Sequence, residues 1–184
     1  DIFKKNGMYL NRAYLHSVLH CLFFHLWTKG ERDEFLWNTA CDIMVEYTID
    51  TMEKKSTKRI LSYIRKTTYE RLKKEHIVIA PGALYAWLYK QYAEIAAEEI
   101  TDTDEIANTN DKNELALLAR EFYTDDHALW PQEKNDNAMP LSSSEAQKQW
   151  QKISRQTRME KKHSKDSESE GEQVMMREMS AKRS

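Results

Sequence analysis

Two histidines of this sequence are four residues apart, a spacing at which both side chains could act together in one binding site. His16 and His20 lie in the stretch "YLHSVLHCLFFHLW", Tyr14 to Trp27, which contains no Asp, Glu, Lys or Arg. On an α-helix, residues four apart lie about 40° apart around the axis and one turn along it, so both imidazoles reach the same point. Two such imidazoles supply two corners of a tetrahedral zinc site. The alternative is a pair of core histidines, each bound to a carbonyl or a carboxylate.

The helix that carries this pair is predicted to run from about Asn11 to Lys29, with Gly30 as its stop signal. The third histidine of the stretch, His25, then falls about 180° from His16 around the helix axis. We expect His25 not to join the pair while the helix stays regular.

A carboxylate in an apolar setting follows on the next predicted helix. Asp42 stands within "WNTACDIMVEYTI", and a carboxylate buried there must be paired or bound to a metal, because burying it alone costs several kcal/mol. Two helices joined by a short turn pack antiparallel, which would bring Asp42 to the histidine pair. It could be a third metal ligand or the partner of an imidazole. The alternative is an ion pair with Arg12, Arg59 or Arg65.

A third polar group of residues is "TDDHALW", Thr124 to Trp130. Its adjacent acids and His127 stand in a segment that precedes Pro131, and they could approach a cleft. The alternative is a loop after a helix, with aspartates as caps and Trp130 as an apolar anchor.

Elements that must position these residues are almost all helical. Four glycines and three prolines leave few turn signals, and the only β-branched run is residues 76–80. The fold class predicted is all-α or mainly α, built around an antiparallel helix pair, with at most a minor β element near 76–80. In the third helix, residues 56–75, we expect Ile60, Tyr63 and Ile64 to face inward.

The remaining chain divides into predicted loops and helices. Residues 101–113 are predicted to form a flexible loop, and residues 114–123 and 142–162 are predicted to be helices. Residues 163–172 form a low-complexity stretch of the sequence. The last dozen residues could form a helix that docks on something absent from this chain. We expect a helical domain over residues 1–160 and a low-complexity linker with a C-terminal helix or tail over residues 161–184.

Charge and composition exclude several function classes. The net charge of −2 over 184 residues gives no electrostatic case for binding nucleic acid or an anionic membrane. The two cysteines, Cys21 and Cys41, lie in apolar helical contexts and are expected to be reduced core thiols. No signal-peptide pattern or membrane-length apolar run occurs, so a cytoplasmic location is expected.

Taken together, "YLHSVLHCLFFHLW", "LWNTACDIMVEYTID" and "FYTDDHALW" resemble the metallopeptidase-type domain that precedes a von Willebrand factor A-like domain in many bacterial proteins. The resemblance extends from about Met8 to Trp150. It implies a helical, zincin-like domain of a bacterial cytoplasmic protein, with AAA+ ATPases of the MoxR type as frequent neighbours. It also implies metal ligation by His16, His20 and Asp42, with His127 as the alternative or a fourth ligand.

The sequence departs from full HExxH motifs at Ser17, where those motifs have the general-base Glu. A serine cannot take a proton from zinc-bound water near neutral pH, whereas a carboxylate can. Glu46 and Asp126 are the candidate substitutes. Two functions are therefore predicted: zinc-dependent hydrolysis of a protein or peptide substrate, or a non-catalytic scaffold that joins a von Willebrand factor A-like module to an AAA+ ATPase.

Overall fold

The computed structural model describes residues 2–97, 105–125, 127, 130, 144–163 and 168–181. These residues contain seven α-helices and a single turn of 3₁₀ helix, His25–Trp27. The α-helices are α1 Ile2–Leu22, α2 Glu34–Thr51, α3 Tyr63–Lys74, α4 Pro81–Ala97, α5 Glu105–Phe122, α6 Ser144–Lys162 and α7 Glu170–Ser180. The predicted all-α class is confirmed.

The β element expected near residues 76–80 does not form: this part of the chain is a turn between α3 and α4. Its backbone amides donate to nearby carbonyls of the same chain and not to a neighbouring strand. Ile77 N–H, for example, donates to the carbonyl of Leu72 near the end of α3 at 2.9 Å. No described helix is both long enough and apolar enough to cross a membrane.

The chain forms two compact units. The first contains Asp1–Glu31, Val45–Arg59 and Thr124–Ser184, and the second contains Arg32–Met44 and Ile60–Tyr123. The helix α2 contributes its first part to the second unit and its last part to the first.

In the first unit, α1 and the end of α2 run in opposite directions. The Arg12 guanidinium lies 2.6 Å from Glu46 and 2.5 Å from Asp50, and His16, one turn further along α1, lies 2.7 Å from Glu46. Moving forward along α1 therefore means moving backward along α2. This is the antiparallel pair that the sequence predicted.

The helix α1 ends at Leu22, which corrects the predicted end at Lys29. Phe24 adopts the left-handed conformation, with φ 63°, and the 3₁₀ turn follows it. Phe23, Phe24 and His25 are all buried. A regular helix could not arrange this against one surface, since three consecutive residues span about 200° of its circumference.

In the second unit, α3 begins later than predicted, at Tyr63, with Ser62 as its N-cap. Ile60 and Tyr63 are exposed, so the predicted inward face is wrong there. The buried positions are instead Arg65, Thr68, Tyr69 and Leu72. Arg65 is tolerated in this core because its guanidinium is paired: its Nε lies 3.0 Å from the Glu121 carboxylate.

The helix α5 begins at Glu105, so residues 105–113 of the predicted loop are helical. Residues 101–104 lie outside the described part of the chain. Asn and Thr are poor helix formers, but intrinsic propensity is a weak prior that the rest of a helix can override.

The C-terminal helix α7 packs within its own unit, which corrects the expectation that it docks on something absent. Val174 and Met179 are buried, and Gly171 lies against the backbone of α2 at Thr48 and Met52. A capping box formed by Ser169 and Glu172 starts the helix. Of the stretch expected to be low-complexity linker, residues 164–167 lie outside the described residues.

Candidate metal centre

Five side chains with metal-binding atoms converge at one place. His16, His20, Asp42, Asp125 and His127 each offer one ligand atom, and these atoms lie within 4.8 Å of one another. All are buried except Asp125, whose side chain is 22% exposed. The structure thus brings together the four residues singled out as metal ligands and adds Asp125 to them.

The histidine pair has the geometry that its spacing requires. His16 and His20 lie one turn apart on α1, and their Nε2 atoms are 2.8 Å apart. Both side chains are almost fully buried. Two imidazole nitrogens therefore point at one small volume.

Asp125 and His127 approach this volume from the segment that follows α5. The Asp125 Oδ1 atom lies 3.3 Å from His16 Nε2, 4.0 Å from His20 Nε2 and 3.0 Å from His127 Nε2. Ligand atoms around a tetrahedral ion with bonds of about 2.0–2.2 Å are separated by roughly 3.3–3.6 Å. The observed separations scatter about that value, so the four groups fit a common cation.

Electrostatics keep Asp125 in the form that a cation needs. Burial acts to raise the pKa of Asp125, but hydrogen bonds from His127 and His16 outweigh it and hold that pKa well below its ordinary value. Asp125 is therefore a carboxylate near neutral pH. Its second oxygen, Oδ2, accepts a hydrogen bond of 3.3 Å from the hydroxyl of Ser17.

Glu46 lies behind His16, on the side of the ring opposite to Nε2. Its Oε1 atom is 2.7 Å from His16 Nδ1, while Oε2 is 2.6 Å from Arg12 and 3.0 Å from Arg59. A carboxylate there fixes the hydrogen on Nδ1, which leaves Nε2 as a lone-pair donor for a metal. The geometry suits Glu46 to orient an imidazole, and its role as a base stays a prediction.

A second imidazole supports His20. His25 Nδ1 lies 3.0 Å from His20 Nδ1, on the far side of the His20 ring from Nε2. The expectation that His25 stays apart was wrong because it assumed a regular helix, and the left-handed turn at Phe24 redirects the chain. His25 is thus a residue of this site that the spacing argument missed.

Trp130 closes the same segment over the imidazoles. Its ring centroid lies 4.0 Å from that of His127 and 4.9 Å from that of His20. Trp130 thus packs against the cluster as an apolar anchor, and the functional role of His127 stays a prediction.

The arginines considered as partners of Asp42 bind other acids. Arg12 and Arg59 both contact Glu46 and Asp50, and Arg65 contacts Glu121. Asp42 itself lies one helical turn before Glu46 on α2.

Cys21, next to His20, is not a candidate ligand. Burial, and then the negative charge of Asp125, raise the pKa of the Cys21 thiol to about 11. The Cys21 sulfur is not among the atoms that converge at the cluster. Both cysteines are free thiols, Cys41 buried and Cys21 half-buried.

Asp125 was not singled out from the sequence, although its neighbour Asp126 was. Asp126 lies outside the described residues, so its predicted role as a base stays a prediction. A usable signal does exist: outside a helix, residues two apart can point to the same side, whereas adjacent ones diverge. That favours Asp125 over Asp126 as the companion of His127.

Comparisons of the chain with family models, with curated proteins and with solved structures find no match. The function of the chain is therefore inferred from the geometry of this cluster.

Proposed function

We propose that this chain is a metal-binding domain that holds one divalent ion, zinc by the nature of its ligands, at the cluster of His16, His20, Asp42, Asp125 and His127. The convergence of three imidazoles and two carboxylates carries the proposal. Imidazole nitrogen and carboxylate oxygen are ligands that zinc accepts. Burying these polar groups together has a physical reason if they share a cation.

We further propose that the site hydrolyses peptide bonds. A divalent ion held by these residues would supply Lewis-acid chemistry, polarising a substrate carbonyl and lowering the pKa of a bound water. Position 17 lacks the carboxylate of full HExxH motifs, but Asp125 places one beside it, with Oδ2 at 3.3 Å from the Ser17 hydroxyl. Asp125 is also the most exposed member of the cluster. In this proposal the three histidines and Asp42 would hold the ion while water takes the place of Asp125 beside it. The Asp125 carboxylate would then accept a hydrogen bond from the attacking water and orient it.

A second candidate function is a structural metal site in a non-catalytic scaffold. The burial of four of the five groups favours it, because structural zinc sites are closed whereas catalytic ones keep an open position. The von Willebrand factor A-like module and AAA+ ATPase implied as partners by the resemblance stay predictions, since no contact among the described residues bears on them.

Metal analysis tests the first step. We expect about one equivalent of zinc in wild-type protein and less than about a tenth of that in His20→Ala, because the site loses one of its converging nitrogens. His76→Ala is the matched control, since His76 is an exposed histidine outside the cluster. Equal zinc content in all three proteins would rule out the cluster as the binding site.

A hydrolysis assay on unfolded casein separates the two functions. We expect metal-dependent cleavage by wild-type protein and a loss of roughly 10²-fold or more in Asp125→Asn, measured at equal zinc content. If the zinc-loaded wild-type protein cleaves nothing, the structural role stands and the peptidase proposal fails.

A further inference from the structure

A separate cavity lies in the first unit, between α6, the end of α7 and the turn at Phe24. Its volume is about 310 Å³. One side is formed by Gln151, Ser154, Arg155 and Arg158 of α6, and the other includes Phe24 and Met179. None of these residues belongs to the metal cluster.

The α6 helix turns polar residues to this cavity, which is open to solvent on that side: Gln151 and Arg155 are exposed and Arg158 is half-buried. Gln151, Ser154, Arg155 and Arg158 are spaced by three and four residues, so they share one helical face. Meanwhile Ile153 and Met159 of the same helix are 43% and 60% exposed. An amphipathic helix normally buries its apolar face, so a polar face on the cavity indicates a polar occupant.

The two arginines have charge that no side chain in the described part of the chain offsets. Neither Arg155 nor Arg158 forms an ion pair with any side chain in the described ranges. Lys161, a turn further along α6, shows the contrast, since its Nζ lies 2.8 Å from the Glu172 carboxylate. Two guanidinium groups that line one cavity, with no ion-pair partner among the described side chains, suit an oxyanion, because each presents a planar set of N–H donors.

The opposite wall adds an apolar surface. Phe24 and Met179 line the cavity but are 1% and 7% exposed, so each is held in the core and offers a ligand only a small edge of apolar surface. A volume of about 310 Å³ lies at the lower end of the range for small-molecule sites. The cavity thus combines charge on one side with apolar contact on the other.

We propose that this cavity is a binding site for a small organic oxyanion, a carboxylate or a phosphate monoester with a short apolar body. Arg155 and Arg158 bind the oxyanion, and the apolar body lies against Phe24 and Met179. The buried hydroxyl of Ser154 and the amide of Gln151 are available to donate further hydrogen bonds. The site is independent of the metal proposed above.

Isothermal titration with two matched probes tests the proposal, phenyl phosphate and phenylacetate, with benzyl alcohol as the neutral analogue. We expect one equivalent of an oxyanion probe to bind the wild-type protein, and no saturable binding of the alcohol. The probe that binds more tightly identifies the oxyanion. The double variant Arg155→Gln/Arg158→Gln should weaken that binding at least tenfold.

The matched control is Lys148→Gln/Lys152→Gln, which removes the same two charges from exposed positions of α6 that do not line the cavity. We expect its affinity to stay within about twofold of wild type. Equal weakening in both double variants, or no saturable binding of either probe to wild type, would overturn the proposal.

Thermal melting checks that each variant is folded. If the double variant is unfolded, Arg158→Lys replaces it, because lysine keeps the charge but not the planar set of guanidinium donors. It should bind the probe more weakly than wild type, and unchanged affinity would count against the proposal.

Discussion

At the scale of single residues, Glu46 joins the metal cluster to the rest of the first unit. It is fully buried and accepts from His16 on one oxygen and from Arg12 and Arg59 on the other. A buried carboxylate with three such partners fixes the orientation of their side chains, and the partners in turn stabilise its negative charge. Replacing Glu46 should therefore lower both the free energy of unfolding and the affinity for zinc.

Glu46→Gln should lower the free energy of unfolding by about 3–5 kcal/mol, because it leaves the buried cation Arg12 short of a partner. It should also weaken zinc binding about 10–100-fold, because the hydrogen on His16 Nδ1 loses its carboxylate acceptor. Urea denaturation and competition with a chromogenic chelator measure the two effects.

Asp50→Asn is the control for that experiment. Asp50 pairs with Arg12 and Arg59, as Glu46 does, but it lies one helical turn further along α2 from Asp42 and the metal cluster. We expect it to destabilise the fold while zinc affinity changes by less than about threefold. If Glu46→Gln binds zinc as tightly as wild type, Glu46 does not position His16.

How much of the site the sequence could predict depends on the residue. The His16/His20 pair follows from helical spacing alone, and Asp42 from the improbability of a carboxylate in an apolar helix. Asp125 is favoured over Asp126 only by its spacing of two residues from His127, and this signal applies only if the chain after α5 is not helical. His25 required the break at Phe24, which no local signal such as Gly or Pro announces.

At the scale of elements, α7 depends on a close approach to α2. A Cβ atom at Gly171 would overlap the carbonyl oxygen of Thr48 and would lie 2.6 Å from the amide nitrogen of Met52. Both are backbone atoms, which cannot rotate away as a side chain can. A small residue at position 171 is therefore a condition for the observed packing of α7.

Gly171→Ala should destabilise the protein by about 1–3 kcal/mol, because α7 must shift away from α2 to admit the methyl group. Urea denaturation measures the change. Gly7→Ala is the opposite case in the same unit: nothing lies within 4 Å of its Cβ position, and alanine favours a helix by about 0.5–1 kcal/mol. A stabilised Gly171→Ala would mean that α7 does not pack as described.

The start of α7 gives a pH dependence. Hydrogen bonds from Lys161, then from Lys54, lower the pKa of Glu172 from 4.5 to about 2. Since the folded protein holds the charged form, this contribution to stability is fully present above about pH 4.5. It is lost as the pH falls toward 2.

We expect Glu172→Gln to be about 1–2 kcal/mol less stable than wild type at pH 7, a modest value because Lys54 is 54% exposed. The difference should vanish near pH 2. Guanidinium denaturation across this range measures it, with Glu168→Gln as the exposed control. A stability difference that does not change with pH would contradict the assignment.

The pattern of the sequence located most helices but not all of their ends. Periodicity and caps predict a helix over residues 142–162, and α6 is observed over Ser144–Lys162. The ends of α1 and the start of α3 were misplaced because burial of consecutive residues and the cap at Ser62 decide them. Tertiary packing sets such helix boundaries, and intrinsic helix propensities do not take that packing into account.

At the scale of the whole molecule, metal binding should be linked to stability. Zinc that binds the folded state alone adds about 4 kcal/mol to the free energy of unfolding at a concentration one thousand times its Kd. Urea denaturation with zinc, and again after adding EDTA, measures this. His20→Ala should show no difference between the two conditions, whereas a zinc effect that persists in it would place the ion elsewhere.

The division of the chain into units has a consequence for biosynthesis. The second unit is complete once residue 123 has been made, whereas the first draws on three separate stretches, the last of which starts at Thr124. On the ribosome, α1 and its histidines can meet Glu46 and His25 early, but they must wait for Asp125 and His127 to emerge before the cluster is complete. Until then the nascent chain exposes apolar surface that chaperones recognise.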